Sequence, residues 1–250
     1  MITIERQGSV AIMRLDQGRV NALDAPLLEE FVTVLDSVEA SDARAVVLTA
    51  TGTVFSAGLD LQQVVDGGAG YLDQVIPRLV AALGRLFSFP LPVVAAINGP
   101  AVAGGCVLAC ACDRRILVEG GRIGASELLV GVPFPVTALE ILRWACGDRT
   151  EEVVLGGKIY GSDEALSVGL AHEIVAAEGL IDRALVVAGE LGALAPGAFR
   201  LAKAQLRRPV TDRIAADGPV VDPEVSALWS TAETMGAIRA QVDRMSARRS

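Results

Sequence analysis

The segment from residue 92 to residue 113, PVVAAINGPAVAGGCVLACACD, constrains the fold more than any other part of the chain. Its first apolar run, Val93–Ile97, is continuous rather than alternating, which is typical of a strand buried on both faces of a parallel sheet. The turn residues that follow, NGP, end that strand. The pair Gly104-Gly105 then opens a second apolar run, residues 106–112, which we predict to be a short buried helix. The segment therefore predicts an α/β protein with a strand, a tight turn and a helix start in one core.

The pair Gly104-Gly105 has two interpretations on sequence alone. The free N–H groups and the positive dipole end of the helix could hold a developing negative charge on a group that approaches the backbone closely. Alternatively, the missing Cβ atoms only permit close packing between the helix and the strand. The spacing does not distinguish these two interpretations.

The remaining patterns predict two regions of different composition. The strands Ile2–Glu5 and Val10–Leu15, a helix capped by Asp24 and the strand Ala45–Ala50 begin a parallel-sheet pattern. The glycine-rich residues 67–70 are interpreted as a flexible loop that precedes a helix at 74–89. After residue 175 the patterns are helical only, with helices predicted at 196–207, 222–230 and 231–248. We therefore predict an α/β core over residues 1–195 and a helical region over 196–250 that makes subunit contacts.

Charge and hydropathy exclude several classes of partner. The chain has 250 residues, a net charge of −8 and no basic stripe, so we expect no nucleic-acid partner. No apolar run reaches the ~18 residues that a membrane span requires. The N-terminal sequence MITIERQ lacks the pattern of a signal peptide, and the final SARRS is not a peroxisomal address. We therefore expect a cytoplasmic protein without a membrane partner.

The cysteines and the single histidine argue against two kinds of site. Cys106, Cys110 and Cys112 lie close together, but a metal site requires CxxC spacing or nearby histidines, and the only histidine is His172. We expect no metal and interpret the cysteines, with Cys146, as buried free thiols. A single histidine also argues against Ser-His-Asp hydrolysis, and we interpret His172 as structural.

Two loops are candidates for a binding site. Residues 51–61 follow a buried parallel strand at its carboxyl end, where open α/β sheets bind ligands. Glu127 lies among apolar residues with a glycine on each side, at Gly124 and Gly131. An acid in a surface loop is usually exposed to solvent. If Glu127 is buried instead, desolvation raises its pKa and makes it a usable base near neutral pH.

Several of these motifs together resemble the crotonase, or enoyl-CoA hydratase/isomerase, superfamily over nearly the whole chain. The matching pieces are VNAL at 20–23, AVVLT at 45–49, FSAGLDL at 55–61, AINGPAVAGGCVLACACD at 96–113 and GSDEALSVGLAHEIV at 161–175. Linked motifs in the same order are far more specific than any one of them. The FSAGLDL and AGGCVL pieces are most similar to Δ3,Δ2-enoyl-CoA isomerases.

The resemblance implies a fold, a substrate class and a set of site residues. The implied fold is α/β, a ββα spiral core with two roughly perpendicular sheets and a helical C-terminal region, in homotrimers or dimers of trimers. The implied substrate is an acyl-CoA thioester, with no separate cofactor. The N–H groups of Leu59 and Gly104 would form an oxyanion hole for the thioester oxygen. The residues implied to line the substrate or CoA side are Ala57, Gly58, Asp60, Leu61 and Ser126.

One departure from the family pattern bears on the reaction. Hydratases of the family use two glutamates, of which the second aligns with Glu127 while the first is replaced here by Val107. Shifting a double bond from C3 to C2 needs only one acid/base, which favours an enoyl-CoA isomerase with Glu127 as the base. The alternatives are an enoyl-CoA hydratase or acyl-CoA hydrolase of the same superfamily, and an acyl-CoA binder without catalysis.

Other charged residues are weaker candidates for a role in the site. Glu140 and Glu151 could serve as a base, but we interpret both as helix-surface residues. Lys203, Arg207 or Arg208 could contact the CoA phosphates, although a solvated helix face is favoured for these charges. The walls of the acyl pocket are expected within residues 71–86 and 132–139.

Overall fold

The computed structural model describes residues 1–247, and we number its strands and α-helices along the chain. The strands are β1 (Ile2–Gln7), β2 (Val10–Leu15), β3 (Ala45–Ala50), β4 (Val93–Ile97), β5 (Ala101–Val102), β6 (Arg114–Val118), β7 (Arg122–Gly124), β8 (Tyr160–Gly161) and β9 (Glu173–Val175). The helices are α1 (Ala25–Glu39), α2 (Leu61–Phe87), α3 (Gly104–Cys110), α4 (Val136–Cys146), α5 (Thr150–Gly156), α6 (Ser162–Ser167), α7 (Leu180–Gly192), α8 (Pro196–Trp229) and α9 (Ala232–Ala247). The α/β class and the helical C-terminal region are confirmed.

The strands form a large mixed sheet and a small one. The large sheet has the order β1-β2-β3-β4-β6-β9, in which β1 and β2 are antiparallel and every later neighbour is parallel. The small sheet has the order β5-β7-β8. Strand β4 lies between β3 and β6, and all five of its residues are buried, as its continuous apolar sequence predicts.

Both faces of the large sheet are covered by helices. Val47 and Val94 belong to a buried cluster with Ala184 and Ala188 of α7 on one face. Leu48 and Ala95, which point the opposite way along the same strands, belong to the main core with α1 to α4. Two-sided burial explains why β3 and β4 show no apolar–polar alternation.

The predicted capping of α1 is confirmed, whereas the predicted start of α2 is wrong. The Asp24 carboxylate accepts a hydrogen bond from the Leu27 N–H at 2.8 Å and caps α1. Helix α2 begins at Leu61 rather than near residue 74. Residues 67–70 lie within it, with a local break at Gly68 (φ 55°, ψ −145°). Asp60 caps the earlier start by accepting hydrogen bonds from the first turn.

The C-terminal region contains one long helix where two shorter ones were predicted. Helix α8 continues from Pro196 to Trp229 through three internal prolines. Side chains buried along its length, including Val210 and Val225, pack against the core and stabilise it against the local preference of proline. The predicted last helix is observed as α9, and its predicted end at residue 248 lies outside the described residues.

A membrane-spanning segment is not evident in the described residues. No single helix among residues 1–247 is long and apolar enough to cross a membrane. One pair of helical segments, residues 177–192 and helix α8, is together long and apolar enough to cross a membrane, but the two are bent at 100° to each other.

Two cations of α8 are buried, which contradicts their predicted solvation and argues against contact with CoA. Lys203 and Arg207 each form an ion pair with Asp113, at 2.7 and 2.8 Å. Lys203 also donates to the Leu91 carbonyl at 3.0 Å. Burial lowers the pKa of Lys203 to about 8, although the Asp113 charge opposes that shift. These contacts fix α8 to the core; Arg208 is exposed.

Glu140 was also predicted to lie on a helix surface, and that prediction is wrong. Its carboxylate is buried on α4 and pairs with Arg143 of the same helix and Arg213 of α8, at 2.9 and 2.6 Å. The two ion pairs compensate the cost of burying this charge. Glu151 is exposed, as predicted.

Candidate active site

The loop that follows β3 is held by polar side chains that the sequence did not single out. Asn21 is fully buried with a left-handed backbone (φ 46°), and its side-chain amide donates to the carbonyls of Thr51 and Val54. The Ser56 hydroxyl donates to the Asn21 carbonyl at 2.8 Å and accepts the Gly58 N–H at 3.2 Å. Asparagine tolerates positive φ better than most residues, which was the only local signal. These bonds fix the course of residues 51–58.

The two glycines that open α3 have different roles. A Cβ atom at Gly105 would lie 2.3 Å from the Ser56 carbonyl oxygen, so this position requires glycine for close packing. A Cβ at Gly104 would meet only ordinary contacts, the nearest at 3.4 Å. The packing interpretation therefore holds for Gly105, whereas close packing does not require glycine at position 104.

The backbone N–H groups of Leu59 and Gly104 lie near each other at the start of α3. The loop carrying Leu59 packs against the start of α3, with the Leu59 nitrogen 3.8 Å from an ideal Cβ at Gly104. Within residues 1–247 neither the Leu59 N–H nor the Gly104 N–H has a backbone acceptor. The preceding residue, Ala103, has an unusual backbone conformation for a residue with a side chain (φ 52°, ψ −127°). This conformation turns the chain from β5 into α3.

The residues that carry both N–H groups, Leu59 and Gly104, line a cavity of about 560 Å³. Most of the predicted site residues line it, namely Ala57, Leu59, Asp60, Leu61, Gly104, Val107, Ser126 and Glu127. Gly58 does not line it among the described residues; it packs against Gly104 instead. Asp60 borders the cavity while its carboxylate caps α2, so part of its hydrogen-bonding capacity is used within the protein.

Glu127 is, with Asp60, one of two acids that line this cavity, and the residue is half-buried. It begins a single 3₁₀ turn, Glu127–Val130, that ends at Gly131 in a left-handed conformation. Its Oε2 atom is buried and has no hydrogen-bond partner in the described chain. Burial raises its pKa from 4.5 to about 8, because desolvation destabilises the charged form. The alternative of a solvent-exposed acid is therefore wrong.

The rest of the cavity is mainly apolar and includes a wall that was not predicted. The expected ranges 71–86 and 132–139 contribute Leu79, Leu83, residues 132–135 and Ala138. Trp229, Val242 and Met245 also line the cavity, so the end of α8 and helix α9 form part of its wall. Trp229, one of only two tryptophans and a large apolar residue on a mostly polar helix, was the available signal.

The cysteines and the histidine lie outside this cavity. The four cysteines are buried and free, as predicted. Nδ1 of His172 accepts the Arg115 N–H at 3.0 Å, and burial together with the Arg115 charge lowers the pKa of His172 to about 3. His172 is thus neutral and structural, as predicted. No group of three or more metal-binding side chains occurs within residues 1–247.

The sequence matches a known family and two kinds of relative. The family model for enoyl-CoA hydratase/isomerase matches residues 5–230. The chain is 34% identical to a putative enoyl-CoA hydratase from Thermus thermophilus over 208 residues, which covers 81% of this chain and 82% of the relative. It is 33% identical to the human mitochondrial enoyl-CoA delta isomerase 1 over 210 residues, which covers 82% of this chain and 70% of the relative.

Solved structures show the same two kinds of relative. The human mitochondrial Δ3-Δ2-enoyl-CoA isomerase superposes with a TM-score of 0.95 at 28% identity, covering 100% of this chain and 99% of that one. A probable enoyl-CoA hydratase from Mycobacterium tuberculosis superposes with a TM-score of 0.84 at 28% identity, covering 89% of this chain and 95% of that one. These matches confirm the fold expected from the resemblance.

Proposed function

Because the chain belongs to the enoyl-CoA hydratase/isomerase family, we propose that it shifts the double bond of a 3-enoyl-CoA to give the 2-enoyl-CoA. The observation that carries this proposal is the Glu127 carboxyl group, with a buried Oε2 atom, in a mainly apolar cavity lined by Leu59 and Gly104, whose backbone N–H groups have no backbone acceptor within residues 1–247. The family acts on enoyl-CoA substrates, and the choice between isomerisation and hydration is the part that we infer from the site.

The N–H groups of Leu59 and Gly104 are the proposed oxyanion hole. Both donate to the thioester oxygen, where negative charge develops as a proton leaves the neighbouring carbon. They are backbone groups fixed by the packing of Gly58 against α3, so they need little reorganisation during the reaction. Losing one donor of this kind typically costs about 3 kcal/mol of transition-state stabilisation. The proposed CoA side is the loop of residues 57–61 with Ser126.

Glu127 is the proposed acid/base for both proton transfers. Its carboxylate removes a proton from C2, and the electrons of the C2–H bond form a dienolate whose charge rests on the thioester oxygen. The protonated Glu127 then returns a proton to C4, and the double bond moves from C3–C4 to C2–C3. A pKa of about 8 suits both steps, because the group exchanges a proton readily near neutral pH. The reaction needs no cofactor beyond the thioester.

Val107 is the observation that favours isomerisation over hydration. Hydration of a 2-enoyl thioester requires a water that is held and deprotonated while a proton reaches C2. Val107 is 1% exposed and lines the cavity, but its side chain cannot hydrogen-bond a water. The carboxylate of Glu127 alone is sufficient for a double-bond shift. In a hydration, the same carboxylate would have to carry out every proton transfer without a second acid.

The test compares two substrates with the same purified protein. We expect 3-enoyl-CoA to be converted to 2-enoyl-CoA, seen as the rise in absorbance of the conjugated thioester. We expect 2-enoyl-CoA to show no matching loss of absorbance by hydration. Hydration of 2-enoyl-CoA without isomerisation of 3-enoyl-CoA would identify a hydratase and overturn the proposal. Binding of both thioesters without turnover would identify a non-catalytic acyl-CoA binder.

A further inference from the structure

We propose that Thr234 and Trp229 are positioning residues that hold the turn carrying Glu127 in place. The Thr234 hydroxyl of α9 donates to the Gly131 carbonyl at 3.2 Å. The Trp229 indole N–H, at the end of α8, donates to the Pro133 carbonyl at 3.0 Å. This inference rests on the proposed role of Glu127 as the acid/base.

The hydrogen bonds from Thr234 and Trp229 reach the residues on either side of Val132, and Val132 is itself hydrogen-bonded to Glu127. The Val132 N–H donates to the Glu127 carbonyl at 3.1 Å and closes the turn. Gly131 and Pro133 are the neighbours of Val132, and each is bonded to the C-terminal helices. Fixing both neighbours fixes the orientation of the Val132 N–H and, through it, the backbone of Glu127.

The same segment has a third bond to the C-terminal helices, in this case to α8. The Asp222 carboxylate accepts the Val136 N–H at 2.8 Å, at the start of α4. Residues 131–136 are therefore bonded to the C-terminal helices at three points within one short stretch. Thr234 and Trp229 are themselves buried, at 5% and 4% exposure, so solvent does not compete strongly for their bonds.

The Glu127 side chain depends on this backbone support. Its Oε2 atom has no hydrogen-bond partner within residues 1–247, so side-chain bonding to that atom does not fix the orientation of the carboxyl group. The turn consists of only four residues and ends at Gly131, whose left-handed conformation is accessible mainly to glycine. The position of the carboxyl group relative to the substrate therefore depends on where the backbone turn is held, and a displacement of about 1 Å can cost up to 100-fold in rate.

If Thr234 only stabilised helix α9, its substitution would have a different effect. The hydroxyl also accepts a hydrogen bond from Thr231 at 3.0 Å, near the start of α9. Loss of that bond would loosen the helix without a specific effect on catalysis. The distinction requires kcat and KM to be measured separately, together with the hydrogen exchange of the Glu127 turn.

The experiment compares Thr234→Val, Thr234→Ser and Trp229→Phe with the wild-type chain. Thr211→Val is the matched control, because within residues 1–247 the Thr211 hydroxyl bonds only the Arg208 carbonyl of its own helix. We expect Thr234→Val to lower kcat about tenfold while KM changes by less than about twofold, and Thr234→Ser to restore kcat. Trp229→Phe, which keeps an aromatic ring in the cavity wall, should also lower kcat.

Amide hydrogen exchange provides the readout that does not depend on turnover. We expect faster exchange in the peptide covering residues 127–133 for Thr234→Val and Trp229→Phe, but not for Thr211→Val. If kcat and this exchange stay at wild-type values in both variants, the positioning role is overturned. It is also overturned if Thr234→Ser behaves like Thr234→Val. Full activity of Glu127→Gln would overturn the proposed function instead, and the exchange data would still report whether the turn is held.

Discussion

The backbone of Gly58 packs against that of Gly104 so closely that a Cβ atom at Gly58 would lie 2.9 Å from the Gly104 nitrogen. Gly58 also has a left-handed backbone, with φ at +83°. The contact joins the loop after β3 to the start of α3 and brings Leu59 and Gly104 together in the wall of the cavity. The geometry of the proposed oxyanion hole therefore depends on the absence of a side chain at Gly58.

Gly58→Ala should impair catalysis more than its backbone strain alone explains. A Cβ at this position pushes the loop away from α3 and separates the two N–H groups, so we expect kcat/KM for isomerisation to fall by at least about tenfold. Gly52→Ala is the control, because Gly52 also has a positive φ (+71°) but no atom lies within 4 Å of an added Cβ. Gly52→Ala should lose about 1 kcal/mol of stability through its positive φ, and Gly58→Ala should lose more because its Cβ also meets backbone atoms. Equal activity in the two variants would show that the contact has no catalytic role.

The rate of isomerisation should rise as the pH increases through about 8. Glu127 acts first as a base, so the active form is the carboxylate, and burial raises the pKa of that group to about 8. We expect the pH profile of kcat/KM for 3-enoyl-CoA to show an ascending limb with a midpoint near 8. A limb that is complete by about pH 5, close to the unperturbed pKa of a glutamate, would contradict the burial of this carboxyl group.

The titration of Glu127 should also affect the free energy of unfolding, which should fall, rather than rise, as the pH increases. The pKa of Glu127 is raised on folding, so the folded state binds the proton more tightly than the unfolded state. Its contribution to stability is fully present below about pH 4.5 and is lost as the pH rises through about 8. We expect the urea midpoint of the wild type to fall relative to that of Glu127→Gln across this range. A constant difference between the two midpoints would contradict the raised pKa.

Removing the charge of Asp113 should destabilise the protein far more than removing an exposed acid. Asp113→Asn leaves Lys203 and Arg207 buried without their counter-charge, and we expect a loss of about 3 kcal/mol in the free energy of unfolding. Asp42→Asn is the control, because Asp42 pairs with Arg6 while its side chain is 93% exposed, and a pair of this kind contributes less than about 1 kcal/mol. Urea denaturation measures both, and similar losses in the two variants would refute the anchoring role of Asp113.

Local patterns were sufficient to predict the centre of the fold. The continuous apolar run of β4, the Asp24 cap and the start of α3 at Gly104 depend on neighbouring residues, and all three are observed. For these three features the determining interactions lie within a few positions in the sequence. The apolar neighbours of Glu127 raised the possibility of burial but did not decide it against the usual exposure of a loop acid, and the structure buries its Oε2 atom.

The features that were missed depend on distant partners. Lys203 and Glu140 were interpreted as solvated because their partners, Asp113 and Arg213, lie 90 and 73 positions away. Two shorter helices were predicted in place of α8 because the packing that stabilises one continuous helix is not visible locally. The place of α9 against the cavity was missed for the same reason. The use of residues 196–250 in homotrimer contacts stays a prediction.

The most direct test of the account is the rate at which Glu127→Gln isomerises 3-enoyl-CoA, measured together with its affinity for an acyl-CoA. The substitution keeps the size of the side chain and removes its ability to accept and return a proton. We predict that turnover falls at least about 100-fold while acyl-CoA binding and folding stay close to wild type. Wild-type turnover in this variant would show that another group moves the proton and would contradict the central claim.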